Sequence, residues 1–456
     1  MYKSFFKVLV AIAPLIVASA VFAQAPTFTI SDPIVLFGET ETKEAGLAVN
    51  TREAEVLFVT IDTIAVEDDP ITGQPAVQCV MGFYYNPVTL QQIGDPFVIV
   101  GNPRGNLQKL TVTYNPVSNQ YFVAVAADSY SPNSSRVPLM AIVNSSSVAA
   151  SAGPIAKVWT WDEGTATSYQ DTAVAASAKN GNMIYVSEYT PAGESEGVIG
   201  LLYDKDGNLL TPQMMRLDTL EPTRDEDDPD VMYLEENDVF LFITNIDPST
   251  SANRITATII QTTPDANGNM QAGNQQVVSQ LRKSFNAGHP SAIENPFNKE
   301  FIGVLDYDNG SEGGDIFYFN IGPAPNYIFT EARDQVPYFE AAGGVPFSHR
   351  HPRLAVDPNR GVIVISHNAT GGFQGMVFTL LGPDGSVLPG RPDTLYVLEA
   401  TDTAVSNDAN FHDVKYDPHS GSFLVIYATG GGLTKVTRLT VTSTHLVSVD
   451  SWMLMD

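Results

Sequence analysis

Two stretches read "HPSAIENP", beginning at His289, and "HPRLAVDP", beginning at His351. Imidazoles move protons near neutral pH and ligate metals, so a His-Pro pair used twice invites a catalytic or metal-binding reading. "DPD" at Asp228–Asp230 adds carboxylates, and Arg353 follows the second histidine by two residues. Carboxylate oxygens and imidazole nitrogens from Asp228, Asp230, His289 and His351 suit Mn, Fe or Zn, although no H-E-x-x-H or similar local signature accompanies them. Elimination on a uronate polymer would use His289 or His351 as base, a loop tyrosine as acid, and Arg353 or Lys109 to offset the substrate charge. Hydrolysis would need paired carboxylates such as Asp228 and Asp413 at a suitable separation. No G-x-S-x-G supports a serine nucleophile. The acidic runs "DEDDPD" (225–230) and "EDDP" (67–70) read as solvated turns, with a Ca²⁺ site as the alternative.

These residues sit in a repeat. The β-rich runs "VLFVTI", "YFVAVAA", "MIYVSEY", "VFLFITN", "EFIGVLD", "GVIVISH" and "SFLVIYA" recur about every sixty residues. Counting back about twelve positions from each gives anchors at Ala45, Lys109, Thr172, Asp228, His289, His351 and Phe411. Runs rich in Val, Ile, Phe and Tyr, punctuated by Gly, Pro, Asn and Asp, are strands, and no segment carries a capped apolar stripe of period 3.6. Each unit holds four short strands, with "DKDGN", "PDANGN" and "GPDGS" as tight turns between third and fourth. The expected fold is all-β: a seven-bladed β-propeller of four-stranded antiparallel blades. "SDPIVLFGETETKEAGLAV" near the start resembles the later "GDPFVIVGNPRGNLQKLTV", so an N-terminal outer strand from about Asp32 to Phe37 should close the ring beside "THLVSVDSWML".

Units of the form "HPSAIENPFNKEFIGV…GGDIFYF" resemble those of secreted bacterial β-propeller repeat proteins, over about residues 27–456. The resemblance is architectural and implies no activity. The S-x-D-x-G-x-x-W boxes of sialidase-like propellers do not occur.

The repeat divides the opening motif. Asn115-Pro116, Asn295-Pro296, Asp357-Pro358 and Asp417-Pro418 hold equivalent places between first and second strands, where Asx-Pro is turn chemistry. Pro229, Pro290 and Pro352 are expected where the innermost strand begins. The anchors vary in chemistry, and alternation aims an anchor and the residue two later the same way. That rule sends Lys109 and Thr111, Asp228 and Asp230, His289 and Ser291, His351 and Arg353, and Phe411 and Asp413 to one mouth of the central channel, with His349 and His412 flanking it. Loops between second and third strands open on the same face, where Tyr130, Tyr189 and Tyr307 could stack on sugar rings.

Bulk properties set the context. "MYKSFFKVLVAIAPLIVASAVFAQAP" has a basic start, an apolar run and small residues before Gln24, which predicts a signal peptide over residues 1–23 cleaved after Ala23. The remaining chain, residues 24–456, is then the propeller, secreted or periplasmic, with no transmembrane segment. Cys79, the one cysteine, lies in an apolar run and reads as a packed thiol. With 51 acidic and 24 basic residues the formal charge is −27, which excludes nucleic acid as a partner and favours cations. The four N-x-S/T triplets, at Asn133, Asn144, Asn309 and Asn368, carry no assigned role. The leading expectation is an exported, monomeric binding propeller engaging a carbohydrate or protein at the channel mouth, with a divalent cation (Ca²⁺ or a transition metal) as the cofactor to test. A polysaccharide-active enzyme, lyase before hydrolase, is the rival, and a structural envelope or matrix component the third reading.

Overall fold

Strands such as Gln120–Asp128 (QYFVAVAAD) are buried along nearly their whole length. Each is the second strand of its sheet, covered on both faces by the sheets before and after it, so continuous apolar runs replace the alternation of a half-exposed strand. The computed structural model describes residues 28–30, 34–37, 44–62, 78–102, 106–128, 136–161, 167–191, 196–211, 213–217, 225–247, 254–280, 286–308, 314–322, 334–335, 348–370, 375–382, 396–398, 412–428 and 434–441. The signal segment 1–23, Tyr130, Phe411, the acidic stretch 67–70 and the segment 444–454 lie outside the described residues.

Among those residues the strands form six four-stranded antiparallel sheets, each in chain order from the inside outward, and one five-stranded sheet made from both chain ends. The expectation of seven equal four-stranded blades is corrected at that last sheet. Its inner three strands are His412–Asp417, Ser422–Ala428 and Thr434–Val441. Two N-terminal strands, Phe28–Ile30 and Ile34–Phe37, pair antiparallel with Thr434–Val441. Chain-end closure therefore occurs beside 434–441, with two short strands in place of one.

The seven innermost strands are Ala45–Asn50, Leu107–Asn115, Thr167–Ala176, Asp225–Leu234, Asn286–Glu294, Ser348–Val356 and His412–Asp417. Each packs on the next, and the last packs on the first. The core lies between sheets, since every adjacent pair shares an apolar cluster, including first and last through Leu47, Phe58, Leu424, Ile426 and Val436. A side chain such as Phe58, fully buried there, contributes roughly 1.5–3 kcal/mol by leaving water. One helix, Ser146–Ala152, interrupts the β pattern among the described residues; it is only seven residues long and none of them is buried.

Five innermost strands carry a β-bulge at corresponding places. Register shifts between Gln108 and Thr111, Gln170 and Thr172, Asp227 and Asp230, Gly288 and Ser291, and Arg350 and Arg353. Lys109, Asp171, Asp228 and His351 sit in these bulges with positive φ of 60°, 28°, 49° and 55°. Pro229, Pro290 and Pro352 therefore lie inside their strands, at bulges where a missing N–H disturbs no ladder, and not at strand starts. The run 225–230 belongs to such a strand as well and is not a turn.

The Asx turns between first and second strands form as the sequence requires. Asn115 Oδ1 accepts the N–H groups of Val117 and Ser118, Asn295 Oδ1 that of Phe297, and Asp357 Oδ1 those of Asn359 and Arg360. Asp417 does the same for His419 and Ser420.

Candidate functional site

Lys109 and Thr111, and Asp228 and Asp230, line one central cavity of about 310 Å³, as their spacing of two requires. Ser291, Arg353 and Asp413 line it too, so seven of the residues that the sequence sent to the mouth converge there. Glu44, Asp171, His412 and Lys415 join them. Glu44 and Asp171 escape the sequence reading because they stand one place before the anchors assigned at Ala45 and Thr172. A bulge shifts the count by one at Asp171, whereas Glu44 stands just before its strand, Ala45–Asn50, which has no bulge.

Other residues fall elsewhere. His351 is 8% exposed and is not among the residues lining the cavity, and its main-chain N–H donates to Asp306 Oδ2 of the preceding sheet at 3.0 Å. The structure does not bring it together with the residues that line the cavity. Tyr189 is 6% exposed and packs against Tyr169 with ring centroids 5.5 Å apart, because the strand Met183–Pro191 runs further than the presumed loop boundary. It is a core residue and cannot stack on a ligand. His289 and Tyr307 lie on strands Asn286–Glu294 and Phe301–Asp308, but their side chains are outside the described residues, as is Tyr130 altogether.

The cavity has two halves of different character. On one side Lys109 forms an ion pair with Asp171, and Thr172 Oγ1 donates to the Lys109 carbonyl at 2.5 Å. Burial works against the Lys109 charge, but Asp171, Asp228 and Glu44 outweigh it and hold the ammonium above its usual range. Glu44 Oε2 accepts the Leu110 N–H at 2.5 Å. That N–H lost its ladder partner to the bulge, and leaving it unpaired would cost about 1–3 kcal/mol. Asp306 gives His351 N–H the same service. Burial nevertheless raises the Glu44 carboxyl to about 7, against the pull of the Lys109 and Leu110 N–H groups and the Lys109 charge.

On the other side stand Asp230, Ser291, Arg353, His412, Asp413 and Lys415. Lys415 pairs with Asp413 at 3.0 Å. Arg353 donates to the Pro352 carbonyl at 3.1 Å, and among the described residues no carboxylate lies within 4.0 Å of its guanidinium. Asp230 accepts the Val231 N–H at 2.8 Å and a bond from Ser291. Burial raises its carboxyl, with Arg353 and Lys415 pulling the other way. His412 is pushed down to about 3 by burial and then by the Arg353 charge, with Nε2 3.4 Å from the Ser366 carbonyl oxygen. An imidazole held neutral that far below pH 7 is a weak base for proton abstraction.

Among the described residues no three His, Cys, Asp or Glu side chains converge as metal ligands. Cys79 is buried, as a packed thiol should be. No described helix is long and apolar enough to cross a membrane.

No known family profile matches this chain, and no curated protein sequence matches it. Solved structures do align with it. Hydrazine synthase of Kuenenia stuttgartiensis aligns at 10% identity and a TM-score of 0.48, over 89% of this chain and 98% of that one. A Hadza microbial sialidase aligns at 9% identity and a TM-score of 0.45, over 80% and 73%. The intramolecular trans-sialidase of Ruminococcus gnavus aligns at 11% identity and a TM-score of 0.44, over 88% and 94%. All three TM-scores lie below 0.5, and the propeller architecture rests on the sheet order of the chain itself.

Proposed function

We propose that the chain is an exported, monomeric binding propeller, its signal peptide removed near Ala23 and its five-stranded closing sheet serving as the seventh blade. It engages a carbohydrate or protein ligand through the central cavity. The observation that carries this reading is Arg353. Its guanidinium lines the cavity with no carboxylate partner within 4.0 Å among the described residues. A charge so placed is normally answered by a ligand or by solvent. At about 310 Å³ the cavity stands at the lower end of ligand-pocket sizes, which suits one sugar ring or one side chain. A larger ligand would enter by its end.

Catalysis is not part of the proposal. His351 stands away from the cavity, and the neutral His412 makes a poor base. The test is a screen of oligosaccharides and peptides against the wild type and Arg353→Ala. A ligand bound by the wild type should lose about tenfold or more in affinity in the variant, since a charge-assisted bond is worth about 1.5–3 kcal/mol. The unfolding temperature should hold. A ligand whose binding ignores Arg353 would place the site elsewhere.

A further inference from the structure

Arg353 and Asp230 belong to the sixth and fourth innermost strands, with Ser291 of the fifth between them. All three line the cavity two residues beyond the start of a bulge, and Asp230 feels both of the others. Arg353 lowers the Asp230 carboxyl from a distance, yet the two are farther apart than the 4.0 Å of an ion pair. Opposite charges facing across a gap are complementary to a molecule carrying the opposite pair. Nearby Asp413 and Lys415 already satisfy each other at 3.0 Å. On the far side the ammonium of Lys109 is enclosed by Glu44, Asp171 and Asp228 and needs no counter-ion. On the Arg353 side of the cavity, the groups left without an ion pair are therefore one guanidinium and one carboxylate.

We propose that the cavity selects a zwitterionic group: a carboxylate held by Arg353, an ammonium held by Asp230, and a hydroxyl within reach of Ser291. This rests on the binding reading above and narrows it. A purely anionic sugar would gain Arg353 but meet Asp230, and would approach a chain of formal charge −27. A purely cationic one would leave the guanidinium unpaired. An amino sugar acid and a free amino acid both supply the required pair, and the cavity volume admits either.

The experiment is calorimetric titration of the full exported chain with muramic acid, glucosamine, glucuronic acid, N-acetylglucosamine and serine. The zwitterions should bind at least about tenfold more tightly than glucosamine or glucuronic acid, from the added charge-assisted bond. Their affinity should change little with salt, whereas glucuronic acid should bind better as salt screens the acidic surface. Arg353→Met should erase the preference over glucosamine, and Asp230→Asn the preference over glucuronic acid. Muramic acid without serine identifies a sugar acid as the ligand class, and serine without muramic acid an amino acid. Binding of N-acetylglucosamine or glucuronic acid as tight as that of the zwitterions overturns the charge selection while leaving a binding cavity. No binding by any of the five overturns the selection and counts against the cavity as a small-ligand site. The wild-type panel needs no variant to fold.

Discussion

Glu44 is a residue whose burial and chemistry are at odds. Its carboxyl is 5% exposed, caps a bulged N–H, and is raised from 4.5 to about 7 because burial outweighs the donors around it. A carboxyl raised on folding favours the folded state while protonated, so that contribution is complete below pH 4.5 and is lost as pH rises through 7. Glu44→Gln keeps an oxygen for Leu110 N–H and removes the ionisation. The variant should unfold at a higher temperature than wild type at pH 8, by up to about 3 kcal/mol in stability, and the advantage should vanish near pH 4.5. Thermal unfolding at both pH values decides it. The sequence made Lys109, Asp228, Asp230, Arg353 and Asp413 legible as channel residues because each is an anchor of the repeat or stands two places after one. It hid Asp171 because counting back from the second strand cannot see an inserted residue, and Glu44 because it stands just outside its strand. His351 does not line the cavity, although Lys109 and Asp228 at the same bulge position do.

At the scale of the element, the turns between first and second strands show one backbone slot answered by different residues. Asn119, Asp238 and Lys299 occupy it with φ of 57°, 53° and 61°, and Gly181, Gly361 and Gly421 with 78°, 68° and 63°. This left-handed conformation costs most residues about 1–2 kcal/mol and glycine almost nothing. A Cβ at Gly421 would meet no atom within 4 Å, so Gly421→Ala isolates the backbone cost and should lower stability by about 1 kcal/mol. Lys299→Gly should move the other way by a similar amount. It gives up only a 3.7 Å surface pair with Glu294, a contact of small worth. Urea unfolding of both variants measures the two signs. These turns were readable because Asx-Pro states its own local chemistry. The bulges were not, because a bulge depends on how two strands pair.

For the whole molecule, closure rests on contacts between residues far apart in the chain. Leu47 N–H donates to Asp413 Oδ2 at 3.5 Å, the hydroxyls of Thr60 and Thr434 stand 3.1 Å apart, and His419 Nε2 lies 3.0 Å from the Asn50 carbonyl oxygen. The N-terminal strands add a cover to the edge of Thr434–Val441. Removing residues through Phe37 should lower the unfolding temperature by roughly 5 °C or more and leave an open strand edge that promotes association. Differential scanning calorimetry and light scattering test the two effects, and a truncated chain as stable and monodisperse as the parent would show the cover to be dispensable. The repeat made this ring visible in outline, since a period near sixty residues with strand-type contents leaves few architectures. The identity of the closing partner was not visible, because short apolar runs at both termini fit the same edge.

The same closure sets an order in time. A chain made from its N-terminus produces Phe28–Ile30 and Ile34–Phe37 before the sheets that follow, yet their partner among the described residues, Thr434–Val441, is made after those sheets. Every other strand finds its sheet neighbours within its own repeat. The sheets between can therefore assemble progressively, while the first strands wait for nearly the whole chain to emerge. Until then the growing protein is an open arc with an unpaired leading strand, and its final folding step is the meeting of its two ends.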